Sequence, residues 1–125
     1  MKSKPAKPIT QAELDVMDVL WAESPLAASD VAARLDAKNW NIRTVKTLLS
    51  RLAEKQVVET EQDGRRYLYS PLVSKKSYAQ GAVRKLTNRL FGGRAAPLVA
   101  HLAEGEGLSD QDIADLEALI EELKG

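Results

Sequence analysis

From Thr10 onward the chain spaces its apolar residues so that a helix would gather them on one side. Thr10-Gln11-Ala12-Glu13 has the form of a capping box, and Leu14, Met17, Leu20 and Trp21 follow it as a stripe. This predicts a first helix over about 10–23, ended by Ser24-Pro25 because the residue before a proline is pushed out of helical dihedrals. A shorter helix over about 28–36 starts near Ala28 or Ser29 and turns Val31, Ala32 and Leu35 inward. Asn41 is a good N-cap for a third, in which Val45, Leu48, Leu49 and Leu52 keep the i, i+3, i+4, i+7 spacing. The period then changes. Residues 57–62 and 65–70 read as two β-rich runs separated by Asp63-Gly64, a pair suited to a type I′ hairpin, and Pro71 closes the second run.

Beyond Pro71 the pattern is helical only. Ala79, Val83, Leu86 and Leu90 recur over about 74–91 before a Gly92-Gly93 stop, and a short helix over about 95–104 follows. A last helix over about 110–123 opens on Ser109-Asp110-Gln111-Asp112 and carries Ile113, Leu116, Ile120 and Leu123 at 3-4-3 spacing. Two turns of apolar side chains do not hold such a helix in water by themselves, so the stripe must dock. Val83, Leu86, Leu90, Ile113, Leu116, Ile120 and Leu123 are therefore the candidate dimerisation residues, with a second copy as the simplest partner. Packing of the last helix on 74–91 within one chain is the alternative, and an intertwined dimer satisfies both.

The predicted fold is mainly α with a small β-hairpin. Three short helices followed by a two-stranded ribbon are the winged helix-turn-helix order. It occupies residues 9–72, with Asp63-Gly64-Arg65-Arg66 as the wing tip. A flexible basic arm precedes it over residues 1–8, and a helical dimerisation domain follows over 73–125.

Composition narrows the chemistry. Apolar residues make up 44% and charged residues 29%, an ordinary globular balance, so the chain is expected to fold. There is no cysteine and a single histidine, His101, which removes disulfides, thiol chemistry and cysteine-based metal sensing. With no Gly-rich phosphate loop either, neither an enzyme nor a bound metal or cofactor is expected. No apolar run approaches the ~18 residues of a spanning helix, and no apolar signal core follows the basic start, which predicts a cytoplasmic protein without membrane insertion.

The formal net charge of zero hides a segregated distribution. Residues 38–55 hold five bases against the single acid Glu54; residues 75–94 hold six bases and no acid; residues 104–122 hold eight acids and no base. The third helix displays Arg43, Thr44, Lys46, Thr47, Ser50 and Arg51 opposite its apolar side, so long cationic donors alternate with short hydroxyls. That suits a helix entering a major groove about 12 Å wide. Arg43, near the helix start, is the first candidate for base readout, because a guanidinium donates twice to guanine. Thr44 and Thr47 suit a thymine methyl or a phosphate, Lys46 and Arg51 suit the DNA backbone, and Arg65 and Arg66 suit a neighbouring phosphate or narrow minor groove. Two alternatives stand beside a repressor: a winged-helix adaptor without DNA contact, and a ligand-responsive activator.

The stretch from Asn39 to Leu52, NWNIRTVKTLLSRL, with the Asp-Gly wing and the first-helix residues Glu13, Val16, Met17, Leu20 and Trp21, resembles the penicillinase-repressor family over about residues 9–124. The resemblance implies a homodimer that blocks transcription from an inverted-repeat operator in double-stranded DNA, commonly of β-lactamase or related resistance and stress genes. It places Arg43, Thr44, Lys46, Thr47 and Arg51 on the recognition helix and Arg65 and Arg66 on the wing. It also implies relief by proteolysis within the dimerisation helices, with a membrane sensor-protease or other regulatory protease as partner. The corresponding bond is His101-Leu102, where this sequence departs from the family's Asn-Phe pair. The cysteine cluster of the related copper-responsive repressors is absent.

Overall fold

Thr10 starts the first helix as its side chain dictates: its hydroxyl accepts from the Glu13 amide at 3.1 Å, and the Glu13 carboxylate accepts from the Thr10 amide at 2.9 Å. In the computed structural model, which describes residues 8–125, this cap opens helix α1, Gln11–Ala22. The basic arm read over residues 1–8 lies, Pro8 apart, outside the described residues. Strand β1 (Leu26–Ala27), helix α2 (Ala28–Arg34) and a 3-10 turn (Asp36–Lys38) follow, then helix α3 (Ile42–Glu54) and strands β2 (Val58–Asp63) and β3 (Arg66–Pro71). Helices α4 (Lys75–Phe91), α5 (Ala95–Glu104) and α6 (Asp110–Lys124) complete the chain. The chain divides into two compact units, one reaching through Tyr78 and one spanning Ala79–Gly125.

The core of the first unit is built from Val16, Met17 and Leu20 of α1, Val31 beside Leu35 at the end of α2, and Val45, Leu48, Leu49 and Leu52 of α3, closed by Leu26, Val57 and Val58. The stripe expected on α1 is rotated by about one residue. Val16 is fully buried, whereas Leu14 and Trp21 stay at the margin. Trp21 sits there because its indole N–H has a partner, the Val73 carbonyl at 2.9 Å, and its ring lies 5.8 Å from that of Tyr78. The first unit therefore reaches past residue 72 into the start of α4.

The sheet has three strands rather than the two expected, in the antiparallel order β1-β3-β2. Leu26 pairs with Tyr69 and Ala27 with Leu68, a strand too short to leave a period in the sequence. The hairpin register also differs by one residue. Asp63 pairs with Arg66, so Gly64-Arg65 is the two-residue loop in place of Asp63-Gly64. Gly64 takes φ +67 and Arg65 does not take a positive φ, the pattern of a type II′ turn and not of type I′.

The exit from α3 is set without a glycine. The Gln56 amide donates to the Ala53 carbonyl and the Val57 amide to the Leu52 carbonyl, both at 3.0 Å, with Gln56 at φ +63. This is a Schellman motif whose hydrophobic contact is Leu52 with Val57, and it turns the chain directly into β2.

The second unit differs in kind. Gly92 and Gly93 end α4 with φ +59 and +82, and Ser109 and Asp112 form a capping box on α6. Yet among its described residues Thr87 alone is buried. Val83, Leu86, Leu90, Ile113, Ile120 and Leu123 are 43–77% exposed, as are Leu102 and Leu119, and Leu116 is half-buried. One chain by itself leaves both apolar stripes in solvent. Among the described residues, no helix is long and apolar enough to cross a membrane.

Candidate nucleic-acid interface

Helix α3 has two unlike sides because its four leucine and valine positions all fall on one. The Asn41 side-chain oxygen accepts from the Thr44 amide at 2.9 Å and fixes where the helix begins. On the outer side, Ile42, Arg43, Lys46, Thr47, Ser50, Arg51 and Glu54 line one shallow concavity. Arg43, Lys46, Thr47 and Arg51 are exposed, while Thr44 is half-buried beside the cap. The Thr47 hydroxyl donates to the Arg43 carbonyl at 3.0 Å, so it is turned back onto the helix.

Ion pairing sorts the cations of this region. Lys38 is held by Asp15 at 3.4 Å, and Lys55 by Glu13. Among the described residues no carboxylate pairs with Arg43, Lys46 or Arg51, which leaves their charges available to phosphates. At the wing tip, Arg65 stands in the turn, exposed and without an ion pair among the described residues, whereas Arg66 lies on β3 and contacts Asp63 at 3.3 Å. Both groups of that last pair are more than half exposed, so it is an easily exchanged contact.

Two residues at this site carry more than the sequence suggested. Ile42 faces the concavity at 41% exposure, although it falls outside both the core stripe and the polar face. Glu13, read as a cap, is fully buried, and its second carboxylate oxygen has no hydrogen-bond partner among the described residues. Burial alone would push its carboxyl up. The hydrogen bond and charge of Lys55, with the Thr10 amide and hydroxyl, outweigh burial and hold it below the ordinary value of 4.5. Lys55 also donates to the Pro8 carbonyl at 2.8 Å. The last turn of the cationic helix is thereby tied to the start of α1.

The remaining candidates lie in the second unit. His101 and Leu102 fall inside α5, both exposed, with the imidazole 5.9 Å from the Phe91 ring. Among the described residues there is no cluster of three or more His, Cys, Asp or Glu side chains placed to hold a metal ion.

Three packed helices, a hairpin wing and an unpaired cationic face on the third helix define a winged helix-turn-helix DNA-binding protein. A profile of the family described as penicillinase repressor matches residues 9–122. The penicillinase repressor of Bacillus licheniformis is 30% identical over 93% of this chain and 91% of its own length. The chain belongs to the penicillinase repressor family. Among solved structures, the DNA-binding domain of the repressor BlaI is 33% identical, with a TM-score of 0.53 over 62% of this chain and 94% of that one. The monomeric form of Bacillus licheniformis BlaI in complex with the blaP half-operator is 31% identical, with a TM-score of 0.51 over 61% and 94%. This protein is a DNA-binding transcriptional repressor and not an enzyme.

Proposed function

We propose that two copies of this chain bind an inverted-repeat operator and block transcription of a β-lactamase gene or a related resistance or stress gene in the cytoplasm. The carrying observation is the second unit: α4 and α6 expose Val83, Leu86, Leu90, Ile113, Ile120 and Leu123, and one chain does not cover them. A relative that occupies a half-operator as a monomer supports one winged domain per half-site. Joining two such domains through residues 73–125 makes the second binding event intramolecular, a gain of about 10²–10⁴ in affinity. Half-site centres about 34 Å apart, one helical turn, suit that geometry.

In this reading Arg43 donates to a guanine edge, Thr44 and Thr47 pack near it, and Lys46 and Arg51 grip phosphates. Arg65 and Arg66 reach the flanking backbone. A regulatory protease, for example a membrane sensor-protease, that cuts His101-Leu102 would separate α6 from the winged domain and release the operator. That bond lies within a helix, so α5 must open before it is cut.

Selection of bound sequences from a random duplex pool, with the particle mass measured alongside, tests the proposal. An enriched palindrome with half-sites one turn apart, bound by two chains, is the expected result. Arg43→Ala should relax one base position, whereas Lys46→Ala should weaken all sequences alike and reduce the salt slope by about 0.9. No enrichment by a folded dimer would refute the operator reading, and equal effects of the two substitutions would refute the division of roles.

A further inference from the structure

The cationic face of α3 contains one large apolar side chain, and the core does not require it. Ile42 is the first residue of the helix and is 41% exposed, while Val45, Leu48, Leu49 and Leu52 fill the buried side. It borders the same concavity as Arg43, Lys46 and Thr47. The Asn41 cap fixes its backbone, and a β-branched side chain in a helix holds largely one χ1, so little is lost in ordering it against a ligand. The first residues of a recognition helix meet base edges, and the apolar feature of a major-groove edge is the C5-methyl of thymine. Thr47, on the same concavity, does not supply a competing donor, because its hydroxyl is committed to the Arg43 carbonyl.

We propose that Ile42 is a specificity-determining residue that packs on the C5-methyl of one thymine in each half-site. This rests on the operator reading above and adds to it the base that α3 recognises by apolar contact rather than by hydrogen bonding.

The test replaces each thymine of the selected operator in turn with deoxyuridine, which keeps the pairing edge and removes only the methyl. Affinities are compared for the wild type, Ile42→Val and Ile42→Ser. At one position per half-site the wild type should bind the uracil duplex about three- to tenfold more weakly, the scale of one buried methyl group. Ile42→Val should keep that preference, and Ile42→Ser should bind both duplexes alike. Ile42 is outside the core, so the serine variant should retain the wild-type circular dichroism and melting temperature. Absence of a methyl effect at every thymine, or an equal effect in Ile42→Ser, overturns the inference and leaves the operator reading intact. A wild type that enriches no sequence from a random pool overturns both.

Discussion

Replacing Lys55 with methionine keeps the packing of its stem and removes the cation that, among the described residues, pairs with a buried carboxylate. The Lys55 and Glu13 side chains are 13% and 1% exposed, so solvent screens the pair little. After the substitution Glu13 keeps the Thr10 amide on one oxygen and, among the described residues, no partner on the other. Breaking a buried pair by removing one partner costs about 3–5 kcal/mol. The carboxylate has an escape, however, because it can take up a proton. For a group whose ordinary value is 4.5, protonation at pH 7 costs about 3.4 kcal/mol at 1.36 kcal/mol per pH unit, which caps the loss. The expected destabilisation at pH 7 is therefore about 2–3.4 kcal/mol, or ~1–2 M in urea midpoint for a chain of this size.

The sign of the pH dependence separates this mechanism from simple loss of packing. In the wild type Glu13 is held below 4.5, so its contribution is complete above that value and is lost as pH falls through the lowered folded one. In Lys55→Met, burial without a counter-charge pushes the carboxyl up. Its penalty then shrinks as pH falls from 7 towards 5, where the wild type is still unaffected. Urea titrations of both proteins across that range measure the gap directly. Glu13→Leu combined with Lys55→Met removes both charges and should recover most of the loss. A single-variant deficit under 1 kcal/mol at pH 7, or one that does not change with pH, would refute the argument.

Two further substitutions probe the handoff from α3 and the second unit. Gln56 holds φ +63 at the end of α3, where a non-glycine residue is strained by roughly 1 kcal/mol. Gln56→Gly relieves that strain against some gain of freedom in the unfolded chain, for a net stabilisation of about 0.5 kcal/mol and a melting point ~2–4 °C higher. A lower melting point would show that the glutamine side chain contributes more than its backbone costs. Ile120→Glu places a charge on the exposed α6 stripe and should give monomers by sedimentation. Operator affinity should fall about 10²-fold or more with half-site affinity unchanged. A variant that remains dimeric would move the interface off α6.

The elements that the sequence displays clearly are those whose signal is local and repeated. The capping boxes at Thr10 and Ser109, the Asn41 cap and the 3-4 spacing of α3 each combine a short-range hydrogen bond with several apolar positions, and all lie where their residues predict. Features set by tertiary contact were not visible. Strand β1 is two residues long and exists through its pairing with β3. The hairpin register shifts because the positive φ falls on the first loop residue, Gly64, and the sequence Asp-Gly alone suits more than one turn type. Gln56 ends α3 in a left-handed conformation more usual for glycine, and nothing in its identity announces it. Glu13 shows the limit most clearly. Its capping role is legible three residues away, and its burial depends on Lys55, forty-two positions on.

Pairing of this kind decides which cations of a chain of zero formal charge remain to form a cationic face. Charges separated by more than about 8–10 Å are largely screened at physiological salt, so a polyanion responds to the face it touches and not to the total. Lys38 and Lys55 contribute little to that face, since Asp15 and Glu13 already neutralise them. Among the described residues Arg43, Lys46 and Arg51 have no such partner, and they span about 12 Å along α3 at 1.5 Å per residue. Successive cations, three and five residues apart, rise about 4.5 and 7.5 Å along the helix, each within the screening length, so neighbours act together on adjacent phosphates. Binding should thus depend steeply on salt, and Lys38→Ala should leave operator affinity nearly unchanged where Lys46→Ala weakens it.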